Sequence, residues 1–226
     1  MMEQFIYLQQ RRYYTICNDV IDYIINQIND YGVTPILIVI GGSIPRGTFH
    51  IGSDVDIFSH HIEETECFSI PNIKYNNTTI QVYSEPISHT YKILYSNNYK
   101  SIDKYENLLL FPKIYDNTTI NVKISTDEIY NKYHKKFKYI YNHMMYSFGI
   151  SGVVYNKTAV EAIRSLLLYI DIKHNKRPNT IEILPLLNKY DIDIDLTYLY
   201  YNMLSYTKTF FWFDIISKIL EFDKNE

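Results

Sequence analysis

Phe5, Leu8, Ile16, Val20, Ile24 and Ile28 recur at helical spacing and predict an amphipathic helix over residues 3–30. Gly32 and Pro35 end it, and the unbroken apolar run Ile36-Leu37-Ile38-Val39-Ile40 predicts a short strand buried on both faces. Ile44 to Thr48, with Pro45 in a first turn, predicts the start of a helix. Further strands are predicted at 54–59, 79–84 and 113–115. Asp116-Asn117 reads as a hairpin turn into another strand at 118–124. Between 87 and 110 the pattern is mixed, with a helix predicted over 102–110.

At Ser125 the period changes. Ser125 with Glu128 three residues later has the form of a capping box. Helical spacing then runs over roughly 127–147, 155–174, 179–189 and 195–221, the last broken near Thr207. The predicted class is therefore α+β: a mixed-sheet domain over 1–126 followed by a helical bundle over 127–226.

Candidate chemistry sits between the first two strands. Ile40 leads into Gly41-Gly42-Ser43, and Asp54-Val55-Asp56 opens the next strand. Residues i and i+2 of a strand share a face, so Asp54 and Asp56 are expected to project together. Two adjacent carboxylates repel unless a cation lies between them. A Gly-Ser turn with free N–H groups suits phosphate oxygens. Together they point to a divalent metal and a nucleoside triphosphate.

Gly42-Ser43 and Asp54-Val55-Asp56, with ten residues between Ser43 and Asp54 and apolar strands on either side, resemble the nucleotidyltransferase superfamily typified by DNA polymerase beta. Gly42-Ser43-Ile44-Pro45-Arg46-Gly47-Thr48 with Gly52-Ser53-Asp54-Val55-Asp56-Ile57-Phe58 is most similar to archaeal-type CCA-adding enzymes and to the minimal nucleotidyltransferases paired with HEPN domains. The resemblance implies a mixed-sheet nucleotidyltransferase domain with the active cleft against the helical half. Asp54 and Asp56 would ligate Mg²⁺ or Mn²⁺, and Gly42 and Ser43 would hold the phosphates of NTP. Arg46 would meet either the phosphates or the acceptor, and Lys157 would reach the triphosphate. The implied reaction moves an NMP from NTP to an acceptor hydroxyl, an RNA 3′ end being favoured. A protein hydroxyl, as in AMPylating antitoxins, and a small molecule stay open as acceptors. The family normally adds a third carboxylate from a later strand. Here Asn121 holds the matching position on 118–124, and the earlier strand offers Gln81. Glu85 and Asp116 are carboxylates that would complete the site from elsewhere. The neutral third position makes a catalytically inactive nucleotide- or partner-binding module the alternative function.

Composition changes this picture little. A net charge of −3 excludes a generally basic nucleic-acid coat. On one helix face, Lys132, Lys135 and Lys136 either track RNA phosphates or form a solvated face opposite an aromatic stripe. Cys17 and Cys67 match no disulfide or metal spacing, and no signal peptide or membrane span is read, so a reducing cytoplasmic setting is expected. His60-His61 diverge on a strand and predict no metal pair. Arg164 and His174 stand too far apart for a HEPN ribonuclease pair.

Overall fold

The computed structural model describes residues 20–75, 78–118, 121–175, 180–207 and 210–225; the part of the predicted first helix before Val20 lies outside them. The chain divides into two compact units, Met1–Val122 and Lys123–Glu226.

The first unit is built on a mixed five-stranded sheet. Helix α1 (Ile21–Asn29) buries Ile24 and Ile28 and is followed by β1 (Pro35–Gly41). Leu37, Ile38, Val39 and Ile40 are all fully buried, as their unbroken apolar run predicts. Each such side chain contributes about 1.5–3 kcal/mol of burial free energy. Strands β2 (Val55–His61), β3 (Phe68–Tyr75), β4 (Thr78–Pro86) and β5 (Lys113–Asp116) complete the order β3-β4-β2-β1-β5. Only β2 and β4 run parallel. Between β4 and β5 lie α2 (Ile87–Leu94), α3 (Ser101–Tyr105) and a π-helical turn (Glu106–Leu110).

Three expectations change here. Residues 44–48 form turns, not a helix: Gly47 N–H bonds to Ile44 O and Thr48 N–H to Ser43 O, and Gly47 takes φ +68°. A left-handed residue cannot propagate an α-helix. The edge strand β3 was not expected, because Pro71 interrupts its alternation. Register slips between Ile70 and Ile73, and an edge strand tolerates the missing donor there. Finally, no hairpin forms at Asp116-Asn117. Asn117 N–H bonds back to Ile36 O, extending the pairing with β1, and residues 121–125 take no regular structure. Asn121 is exposed outside the sheet.

The second unit opens with α4 (Thr126–Ser151), whose capping box is present as predicted. Ser125 Oγ accepts from Glu128 N–H at 3.1 Å, and Ser125 N–H donates to Glu128 Oε2 at 3.2 Å. Gly152, at φ +67°, closes the helix. Then come β6 (Val154–Tyr155), α5 (Asn156–Asn175), α6 (Ile183–Lys189), α7 (Leu196–Asn202), β7 (Tyr206–Thr207) and α8 (Phe211–Asn225). The break expected near Thr207 is a two-residue antiparallel ladder with β6. Asn156 ties this corner together: it is fully buried, donates to Asn202 O, and accepts from Trp212 Nε1 and Thr207 Oγ1. Among the described residues, no helix is long and apolar enough to cross a membrane.

Candidate active site

Gly41 is registered against Asp56 across the β1–β2 pair, so the turn that follows β1 meets the start of β2. Gly42 stands at φ +67°, and a β-carbon on it would lie 1.8 Å from Asp56 Oδ2. The turn backbone and this carboxylate thus occupy one small volume, which only glycine leaves open. The connecting loop is held tight before Asp54: Ser53 N–H bonds to His50 O at 3.0 Å, and His50 N–H to Ser53 Oγ at 2.9 Å.

Asp56, Phe58 and His60 alternate with the core residues Ile57 and Ser59 and share one face. In the parallel register they stand beside Gln81, Tyr83 and Glu85. Phe58 and Tyr83 stack with ring centroids 5.6 Å apart, and the Tyr83 hydroxyl donates to Gln81 Oε1 at 2.5 Å. Burial raises the Tyr83 pKa, and the charges of Asp56 and Asp54 raise it further. Both carboxylates therefore act on the same phenol. Asp56 at the start of β2 and Asp54 just before it offer carboxylate oxygens, the donor type a hard dication such as Mg²⁺ takes.

The residue beside Asp56 is Gln81, not Asn121, which lies outside the sheet. Neither alternative carboxylate completes the pair. Glu85 is four residues further along β4, about 13 Å away. It accepts from Lys104 at 2.5 Å and from Thr90 at 2.7 Å through Oε1. Asp116 stands opposite Leu37, four residues from Gly41, and pairs with Lys113 at 2.6 Å.

Arg46 is paired with acidic side chains of the same unit. Its guanidinium lies 2.8 Å from Asp103 Oδ1 and 2.8 Å from Glu106 Oε2, with Phe111 beneath it. Glu106 is fully buried. Through these two carboxylates Arg46 clamps the turn onto the α3 region. Sequence reasoning missed both partners because they lie about sixty residues away.

The remaining sequence candidates are placed as follows. Lys157 is exposed in the first turn of α5. Lys132 and Lys136 are buried, and burial lowers the Lys132 pKa, so the three-lysine face is not presented; of the three only Lys135 is exposed. His60 is fully buried, and desolvation pushes its pKa down to about 4. His61 turns to the opposite face, bonded to Ser84 Oγ and Thr65 Oγ1. His174 at the end of α5 pairs with Asp223 at 3.0 Å.

Comparison with known protein families agrees with this architecture. A family model described as nucleotidyltransferase domain matches residues 21–137. No curated protein matches the chain. Among solved structures, a nucleotidyltransferase-like protein from Exiguobacterium sibiricum 255-15 is similar at 11% identity and a TM-score of 0.34, covering 90% of this chain and 72% of its own.

Proposed function

This chain belongs to the nucleotidyltransferase domain family, and on that premise we propose that it moves a nucleoside monophosphate from NTP to an acceptor hydroxyl, releasing pyrophosphate. The observation that supports the reading is the close fit of Gly42 against Asp56, which sets the Gly-Ser turn directly against an acidic side chain. Asp54 and Asp56 hold Mg²⁺ or Mn²⁺. Such an ion, when bound, neutralises phosphate charge and acidifies the acceptor hydroxyl. Backbone N–H groups of the Gly42-Ser43 turn and the Ser43 hydroxyl hold the phosphates. Phe58 and Tyr83 stack beside Asp56 on the same face of the sheet.

For the acceptor we favour an RNA 3′ end, on the likeness of the motif to archaeal-type CCA-adding enzymes. A protein hydroxyl is the competing acceptor. A second reading has its own observation: Gln81 stands beside Asp56 where a third charge would help activate the hydroxyl. That arrangement favours a protein that binds nucleotide without transferring it.

Labelled NTPs with Mg²⁺ or Mn²⁺, offered RNA and protein acceptors, separate these readings when wild type is compared with Asp54→Ala/Asp56→Ala. Label transfer that disappears in the double variant supports the enzyme. Metal-dependent nucleotide binding with no transfer to any acceptor supports the second reading and overturns the first.

A further inference from the structure

Three side chains of different ligand chemistry converge at the far end of the β2–β4 pair. Cys67 precedes β3, Glu85 lies near the end of β4, and His89 sits in α2. Cys67 Sγ is 3.4 Å from His89 Nδ1, and that nitrogen is 3.1 Å from Glu85 Oε2. All three ligand atoms lie within 4.8 Å of one another. Donors on a tetrahedral ion, with bonds of about 2.0–2.3 Å, stand roughly 3.3–3.8 Å apart. The two separations made by His89 Nδ1, 3.4 and 3.1 Å, are close to that spacing.

The two oxygens of Glu85 are divided between two tasks. Oε1 accepts from Thr90 Oγ1 at 2.7 Å and from Lys104 Nζ at 2.5 Å, which fixes the carboxylate plane. Oε2 is left facing His89 Nδ1. Ligating carboxylates are held this way by outer hydrogen bonds. Without an ion, the cluster is poorly matched to protons. If His89 Nδ1 carries a proton for Glu85, it has no lone pair for the Cys67 thiol; if it accepts from the thiol, Glu85 loses a donor. One cation in the middle serves all three lone pairs.

We propose that Cys67, Glu85 and His89 form a binding site for a borderline-soft divalent transition metal, best matched by Zn²⁺, with water as the fourth ligand. The site is separate from Asp54 and Asp56: Glu85 is four residues, about 13 Å, along β4 from Gln81. A thiolate and an imidazole also select against the hard Mg²⁺ expected there. Lys104 lowers the affinity by charge repulsion, so the site binds more weakly than a closed four-ligand zinc centre. Binding would tie the entry to the edge strand β3 to the β4–α2 junction.

Co²⁺ titration of the full chain, kept reduced with a phosphine, reads the site directly. The expected result is a thiolate-to-cobalt charge-transfer band saturating at one equivalent and abolished by Zn²⁺. Cys67→Ser removes the band, and His89→Ala removes it or weakens Co²⁺ binding more than tenfold. Both residues are exposed, so circular dichroism is expected to match wild type. Asp54→Ala/Asp56→Ala leaves the band intact even if the nucleotide reading fails. Absence of the band overturns the proposal. So does a band that ignores His89→Ala, or one that survives Cys67→Ser and is lost in Cys17→Ser.

Discussion

A β-carbon on Gly42 would fall 1.8 Å from Oδ2 of Asp56, inside any van der Waals contact. A side chain at position 42 and the Asp56 carboxylate are thus mutually exclusive in volume. Gly42→Ala is expected to push the Asp56 carboxylate aside and to strain a left-handed backbone position, at about 1–2 kcal/mol. Thermal denaturation reads the strain; metal-dependent nucleotide binding reads the displaced carboxylate and is expected to be lost. Unchanged nucleotide binding in a folded Gly42→Ala protein would separate the turn from the site.

Gln81 stands beside Asp56 in the parallel register, whereas Asn121 is exposed outside the sheet. Gln81→Asp is expected to raise label transfer by an order of magnitude or more, because it adds the missing charge to the metal-binding face. Asn121→Asp is expected to change nothing. Gain of activity in the Asn121 variant alone would mean that the chain beyond β5 reaches the site after all.

Removing Arg46 takes its guanidinium from two carboxylates, one of them fully buried. Arg46→Met is expected to destabilise the protein by about 3–5 kcal/mol, the cost of breaking a buried ion pair from one side. Asp103→Asn and Glu106→Gln added to it are expected to restore most of that loss in urea unfolding. Nucleotide affinity in the triple variant is expected to stay near wild type. A large loss there would return Arg46 to the phosphates.

Asn156 joins α5, α7, β7 and α8 through hydrogen bonds to Asn202, Thr207 and Trp212. Asn156→Ala leaves the Trp212 N–H and the Thr207 hydroxyl without this acceptor, and about 2–4 kcal/mol of destabilisation is expected. Trp212 is the chain's one tryptophan, so its emission reports the change.

Asp223 supplies a pH test. Burial pushes its carboxyl up, but hydrogen bonds and charges from Lys173 and His174 outweigh this and hold it below its ordinary value. A carboxylate with a depressed folded pKa contributes stability that is present above the unfolded value and lost as pH falls through the folded one. The contribution is therefore expected to fade below about pH 4. Asp223→Asn is expected to lower stability at neutral pH and to flatten the acid limb of the stability profile.

Local chemistry made several features legible in advance. The buried β1 run, the Ser125–Glu128 capping box, the helical second half and the Gly-Ser turn followed by paired aspartates are each set by residues within a few positions of one another. Capping, periodicity and turn geometry act over that range, so one stretch of chain suffices to read them. The edge strand β3 was hidden because Pro71 breaks the alternation, and only an edge without a partner tolerates it. Of the strand expected at 118–124, residues 119 and 120 lie outside the described ones, and 121–124 keep their alternation but pair with no neighbouring strand among the described residues.

By itself, then, the sequence determined the α+β class, the turn, and Asp54 and Asp56 as the acidic pair. Tertiary structure alone decided which residue stands beside that pair, what neutralises Arg46, and that Cys67 meets Glu85 and His89. Those three depend on register and on contacts between residues far apart in the chain. No local pattern records them, because a strand's side chains acquire neighbours only when the sheet forms.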